Sequence, residues 1–140
     1  MLDSGPLGLL AHHRPRPDIT TWVNSLLRAG IPVYIPEICD YDIRRSLIAK
    51  SLTASLAVLD DLPKQITFRP ITSAVMRNAA KLWADARRRG TPTADPKELD
   101  ADVILAAQAL EANAIVVTEN IGHIAQFVLT AKWQSIAPPP

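Results

Sequence analysis

The sequence predicts an α/β layer structure with a mostly parallel sheet. Two observations carry this: segments of helical periodicity alternate with short apolar strand candidates, and polar residues (Asp3, Glu37, Asn120) recur just beyond three of those strands. At 140 residues the chain fits one domain, large enough for a core that needs neither disulfide nor structural metal.

Residues 2–4 read as the end of a short first strand, broken by Gly5, Pro6 and Gly8 and followed by an irregular loop over residues 12–17. Asp18 or Thr20 can cap a helix reaching about Ala29, with Trp22, Leu26 and Leu27 on one face and Gly30 closing it. Residues 32–35 form the second strand. Pro36 opens a helical region as far as Leu59, with Ile38, Tyr41, Ile48, Leu52 and Leu56 in period. A weaker strand follows at 65–68. Thr72 then caps a helix carrying Val75, Met76, Ala79, Leu82, Trp83 and Ala86, and Gly90 stops it. Residues 91–97 read as loop, 98–112 as an Ala-rich helix, 114–118 as a buried strand and 121–127 as a short helix. Ser135 and Ile136 are expected to add an edge strand, so the domain spans residues 1–137 and 138–140 form a Pro-rich tail.

Hydrophobic residues at 48% and charged residues at 21% match an ordinary soluble protein. No apolar run approaches the roughly 18 to 20 residues that span a bilayer. Nothing at the start resembles an export signal, so a cytoplasmic location without membrane contact is expected. Cys39 is alone, which excludes an internal disulfide or a Cys-built zinc site, and reads as a small buried hydrophobe. A net charge of +1 gives no global basic excess, so any nucleic-acid contact is local. Arg14 and Arg16, Arg44 and Arg45, and Arg87, Arg88 and Arg89 are the candidates.

Asp3, Glu37, Asp102 and Asn120 suggest one polar pocket. In open parallel sheets ligands bind beyond the carboxyl ends of the strands, where Asp3, Glu37 and Asn120 stand. Asp102 would reach the same crevice from the start of helix 98–112, where the helix dipole favours its charged form. Carboxylates gathered in this way repel unless a divalent cation neutralises them, and Mg²⁺ takes oxygen ligands while keeping several waters. Asp100 competes with Asp102, but two residues on a helix stand about 200° apart. Ala106 and Ala109 follow Asp102 on its own face and let that face approach the sheet closely. Asp102 is therefore the inward acid and Asp100 an N-cap or supporting group. Asp40 with Arg44, and Asp42 with Arg45, read as surface helix pairs.

Leu2-Asp3-Ser4, Pro36-Glu37-Ile38, the run Asp102-Val103-Ile104-Leu105-Ala106-Ala107-Gln108-Ala109-Leu110 and Val117-Thr118-Glu119-Asn120 together resemble the PIN domain. More narrowly, they resemble the bacterial VapC ribonuclease toxins of VapBC toxin–antitoxin pairs, over nearly the whole chain. The resemblance implies a three-layer α/β/α fold around a mostly parallel sheet. It implies a metal-dependent endoribonuclease using Mg²⁺ or Mn²⁺, with Asp3, Glu37 and Asp102 as metal-site acids, Asn120 as a fourth catalytic residue, and Ser4 and Thr118 as supporting hydroxyls. Arg44 and Arg45 are the expected RNA-contacting pair. Partners implied are RNA, a cognate antitoxin and a second copy of the chain in a homodimer. Two departures stand out: Asn120 supplies no charge, and His123 occupies a place where such proteins often have Asp. They favour, as the alternative, a catalytically weak RNA-binding or partner-binding module. A phosphate-accepting receiver-like domain ranks below both, because paired early acids and a late Lys are missing.

Overall fold

The computed structural model describes residues 1–90 and 96–138. Its strands are short because each apolar run is soon interrupted by a helix start or a turn. β1 (Tyr34–Pro36) pairs in parallel with β2 (Thr67–Arg69), Ile35 opposite Phe68. β3 (Val116–Val117) pairs in parallel with β4 (Thr130–Ala131), Val116 opposite Thr130. Leu2 stands between the two pairs: it forms a parallel bridge with Val117 and donates its N–H to Tyr34 O at 3.0 Å. The expected central sheet is thus two small parallel sheets tied through the first residues of the chain. The edge partner of β3 is β4, while Ser135, expected in an edge strand, lies in the 3₁₀ turn Trp133–Ser135.

Gly5, Pro6 and Gly8 do not break the chain but lie in helix α1 (Ser4–Ala11). Asp3 caps it by accepting the Ser4 N–H at 2.7 Å. Pro6 occupies the first turn, where a backbone N–H would have no intrahelical partner. Helix α2 (Pro17–Arg28) has Arg16 at its N-cap position and starts on Pro17; Asp18, expected as the cap, lies in the first turn and accepts the Ile19 N–H at 2.8 Å, and the helix buries Ile19, Trp22, Val23 and Leu26. Gly30, at φ 72°, supplies the left-handed turn that ends it.

The single helical region expected from Pro36 to Leu59 is two helices, α3 (Glu37–Ala49) and α4 (Thr53–Asp61). The chain turns between them at Ser51, whose φ of 55° is left-handed. The buried face of α3 is Cys39 and Ile43, whereas Tyr41, Ile48 and Leu52 of the expected apolar stripe are 56%, 59% and 46% exposed. Thr72 caps helix α5 (Ser73–Arg88) as expected, its hydroxyl accepting the Val75 N–H at 3.1 Å. Helix α6 (Pro96–Glu111) starts before Glu98, so Pro96 and Lys97 are helical, and residues 91–95 of the expected loop lie outside the described residues. A 3₁₀ turn, Ile124–Gln126, replaces the helix expected over 121–127.

The main core joins Leu2, Leu7, Ile19, Ile35, Leu59 and Val116, and a second cluster seals α5 to α6 through Val75, Ala79, Leu99, Val103 and Ala107. Buried Gln108 fastens α6 to both neighbours. Its Nε2 donates to Arg69 O at 2.7 Å, and its Oε1 accepts the Ile38 N–H at 3.3 Å. Among the described residues, no helix is long and apolar enough to cross a membrane.

The Met1 amine is buried and donates to Ile115 O at 2.9 Å. Burial lowers its pKa from 8.0 to about 6. Between those values the unfolded chain holds a proton that the folded chain has released, so stability rises with pH through that window. The gain is at most roughly 2–3 kcal/mol, and urea midpoints taken at pH 5.5, 7 and 8.5 will show it as a steady increase.

Candidate active site

Asp3 leaves the sheets at the carboxyl side of Leu2 and is held at both oxygens. Oδ1 accepts the Ser4 N–H, and Oδ2 accepts the Thr118 hydroxyl at 2.6 Å. Thr118, fully buried just after β3, also receives the Asn120 N–H on its Oγ1 at 3.0 Å. One hydroxyl therefore orients both the acid at the start of the chain and the loop that carries Asn120. Gly122 suits that loop, because a Cβ there would stand 3.1 Å from Asn120 Oδ1.

Around Asp3 opens a cavity of about 450 Å³. From α1 it takes Ser4; from α3, Ile38, Cys39, Asp42 and Arg45; from α6, Ala101, Asp102 and Leu105; and from the loop after β3, Asn120, His123 and Ile124. Three carboxylates, those of Asp3, Asp42 and Asp102, thus share one cavity with one guanidinium, and the balance is acidic. Cys39 is the buried hydrophobe expected: burial first, then the negative charge of Asp3, pushes its thiol pKa well up, so it stays protonated.

Of the site residues singled out from the sequence, Asp3, Ser4, Arg45, Asp102, Asn120 and His123 line this cavity, and Thr118 supports it from behind. Asp100 does not. It is exposed and lines a separate groove between α5 and α6 with Met76 and Trp83, whereas Asp102 lines the cavity. Because α6 begins at Pro96, Asp100 is no N-cap and Asp102 stands beyond the first turn, where the helix dipole has largely fallen away. Arg44 also lies outside the cavity. Its guanidinium is bound by Asp40 at 2.9 Å and Asp60 at 2.6 Å, which ties α3 to α4 and raises its pKa.

Glu37 is not among the residues lining the cavity. It opens α3, and its carboxylate accepts the Ile71 N–H, fastening α3 to the segment before α5. The acid that α3 does present is Asp42, which the sequence had suggested was only half of a surface pair with Arg45. That pair exists, at 2.6 Å, but at the cavity. Helical geometry carried the signal: residues 37 and 42 stand about 140° apart, whereas Asp42 follows Cys39 by less than a turn on the inward side. Glu37→Gln, which keeps an acceptor for Ile71, is therefore expected to retain most of any activity of this site, while Asp42→Asn loses it; parallel rate measurements on the two variants decide.

Among the described residues, no group of three or more His, Cys, Asp or Glu side chains is arranged so that it could hold a metal ion. The donors are nevertheless hard oxygens. That set fits a cation such as Mg²⁺, which uses one or two carboxylates and fills its remaining positions with water and substrate.

A small mixed α/β chain with an acidic cavity at its strand ends is thus defined. No family model matches the sequence, and no curated protein matches it closely. Solved structures do match the fold. A chain of VapBC2 from Rickettsia felis, bound to a DNA fragment from their promoter, aligns at a TM-score of 0.77 and 16% identity over 95% of this chain and 97% of that one. A chain of FitAB bound to an IR36 DNA fragment aligns at 0.73 and 18% identity over 97% and 96%. FitAcB from Neisseria gonorrhoeae gives 0.69 and 19% over 96% and 98%. At such identities the likeness is one of fold, and it extends over essentially the whole chain.

Proposed function

We propose that this chain is a metal-dependent endoribonuclease and the toxin of a toxin–antitoxin pair. The observation that carries the reading is the convergence of Asp3, Asp42, Asp102 and Asn120 on one cavity, in a fold shared with chains of VapBC and FitAB toxin–antitoxin complexes. One or two of the carboxylates of Asp3, Asp42 and Asp102, with waters and substrate completing the shell, would hold Mg²⁺ or Mn²⁺, with Asn120 contributing a carbonyl or a water-mediated contact. Bound there, the cation would lower the pKa of a water and offset charge on the phosphate oxygens. Thr118 fixes Asp3, so that acid needs no reorganisation when substrate arrives. His123, which lines the cavity, would exchange a proton with the leaving or attacking oxygen.

A groove of about 380 Å³ between α1 and the α3–α4 pair, lined by Gly8, Ile43, Leu47 and Leu52, shares Ser4 and Asp42 with the acidic cavity. An antitoxin segment lying there would bring a basic side chain to the carboxylates. Tyr41 and Ile48, exposed on another side of α3, would offer a separate apolar surface to a partner or to a second copy of the chain.

The test is incubation of the purified, antitoxin-free chain with a mixed structured RNA pool in Mg²⁺, in Mn²⁺ and in EDTA, beside Asp102→Asn. Cleavage that needs metal and is lost in the variant is expected. A folded protein that cleaves under no metal yet crosslinks to RNA would overturn the nuclease reading in favour of the binding module, which Asn120 and His123 favour because neither adds negative charge.

A further inference from the structure

Asp42 and Arg45 stand three residues apart on α3, and both line the acidic cavity. Arg45 Nη2 donates to Asp42 Oδ1 at 2.6 Å, while its guanidinium packs over the Tyr41 ring, 5.2 Å from the centroid. Arg44, its chain neighbour, is engaged by Asp40 and Asp60 and faces elsewhere. Arg45 is thus the permanently cationic side chain among the residues that line the cavity, and it lies on one of the acids that would hold a cation.

We propose that Arg45 is a built-in counter-ion of the site: it holds Asp42 while no divalent cation is bound and yields that carboxylate when one enters. The inference rests on the metal-site reading above. A carboxylate oxygen that accepts a charge-assisted bond from a guanidinium has committed a lone pair that a hard cation also requires, and the guanidinium charge repels the cation. The pair is open to solvent, with side chains 62% and 41% exposed, so the hold is weak and reversible. Once released, Arg45 remains at the cavity on the Tyr41 ring, and its fork of donors suits a phosphate. Loading of the cation therefore turns one side chain from an internal partner of Asp42 into a substrate contact.

Manganese titrations, with free Mn²⁺ read by electron paramagnetic resonance, test this on the wild-type chain and on Arg45→Met, Arg45→Gln, Arg44→Met and Asp42→Asn, each checked for folding by circular dichroism. Arg45→Met and Arg45→Gln are expected to bind Mn²⁺ roughly three- to five-fold more tightly, in line with the loss of a weak competing pair. Arg44→Met should stay within about two-fold of wild type because its partners lie away from the cavity. Asp42→Asn combined with Arg45→Met should lose the gain. At saturating Mn²⁺ the Arg45 variants should still bind RNA less well. Equal changes from Arg44→Met and Arg45→Met would mean that only the general field had changed and would overturn the proposal. Absence of any Mn²⁺ binding sensitive to Asp42→Asn or Asp102→Asn would remove the metal site itself, and the proposal with it.

Discussion

Asp3→Asn is expected to lower metal-dependent RNA cleavage by about 10²- to 10³-fold or more, with a thermal midpoint close to that of the wild type. Both oxygens of Asp3 are fixed, one by the Ser4 N–H and the other by the Thr118 hydroxyl. An asparagine keeps one acceptor for Ser4 and turns its amide toward Thr118. The hydroxyl can then accept that amide and redirect its own proton to Asn120 O, already 3.2 Å away. The cap of α1 survives, and mutual repulsion among Asp3, Asp42 and Asp102 is relieved. What is lost is one of the negative charges on which the proposed cation site rests. Cleavage rates in Mn²⁺ beside calorimetric melting separate the two effects, and wild-type cleavage by this variant would remove Asp3 from the site.

Gln108→Leu is expected to cost about 2–4 kcal/mol of stability. Leucine fills a similar volume, so the loss comes from two stranded backbone groups, the Arg69 carbonyl and the Ile38 N–H, each left without its partner in a part-buried position. The damage reaches the chemistry because Gln108 joins α6, which carries Asp102, to the start of α3, which carries Asp42. Urea unfolding gives the energy, and the Mn²⁺ affinity of the still-folded fraction reports the loosened spacing.

The sequence was most readable where a residue's surroundings were local. Thr72 acts as a cap because its neighbours allow little else, and Asp102 is favoured over Asp100 by helical angle alone. Asp3 and Asn120 could be brought to one place because strand ends in parallel sheets converge. Glu37 and Asp42 were harder to tell apart, since both belong to one helix and only the packed face of α3, set by Cys39 and Ile43, selects between them. That face depends on residues remote in sequence. The same limit explains α1: Gly5, Pro6 and Gly8 are poor helix formers individually, but an Asp3 cap and the buried Leu7 and Leu10 outweigh them. Ser51 offered no glycine or proline to announce the break between α3 and α4. The strands, two or three residues long, are too short for alternation to set their limits.

The bond between Asp3 and Thr118 joins residues 115 positions apart, and the Met1 amine reaches Ile115 across 114. During translation, at roughly 5–20 residues per second, the first acid of the cavity therefore waits for its Thr118 partner until the chain beyond β3 has left the ribosome. A nascent or truncated chain that stops before Thr118 carries Asp3 and Asp42 but lacks the hydroxyl that fixes the second oxygen of the former. Closing so long a loop is also a slow step of folding. If the chain is a toxin, its host gains an interval in which the polypeptide exists and the enzyme does not, long enough for a co-produced partner to be waiting when the site first assembles.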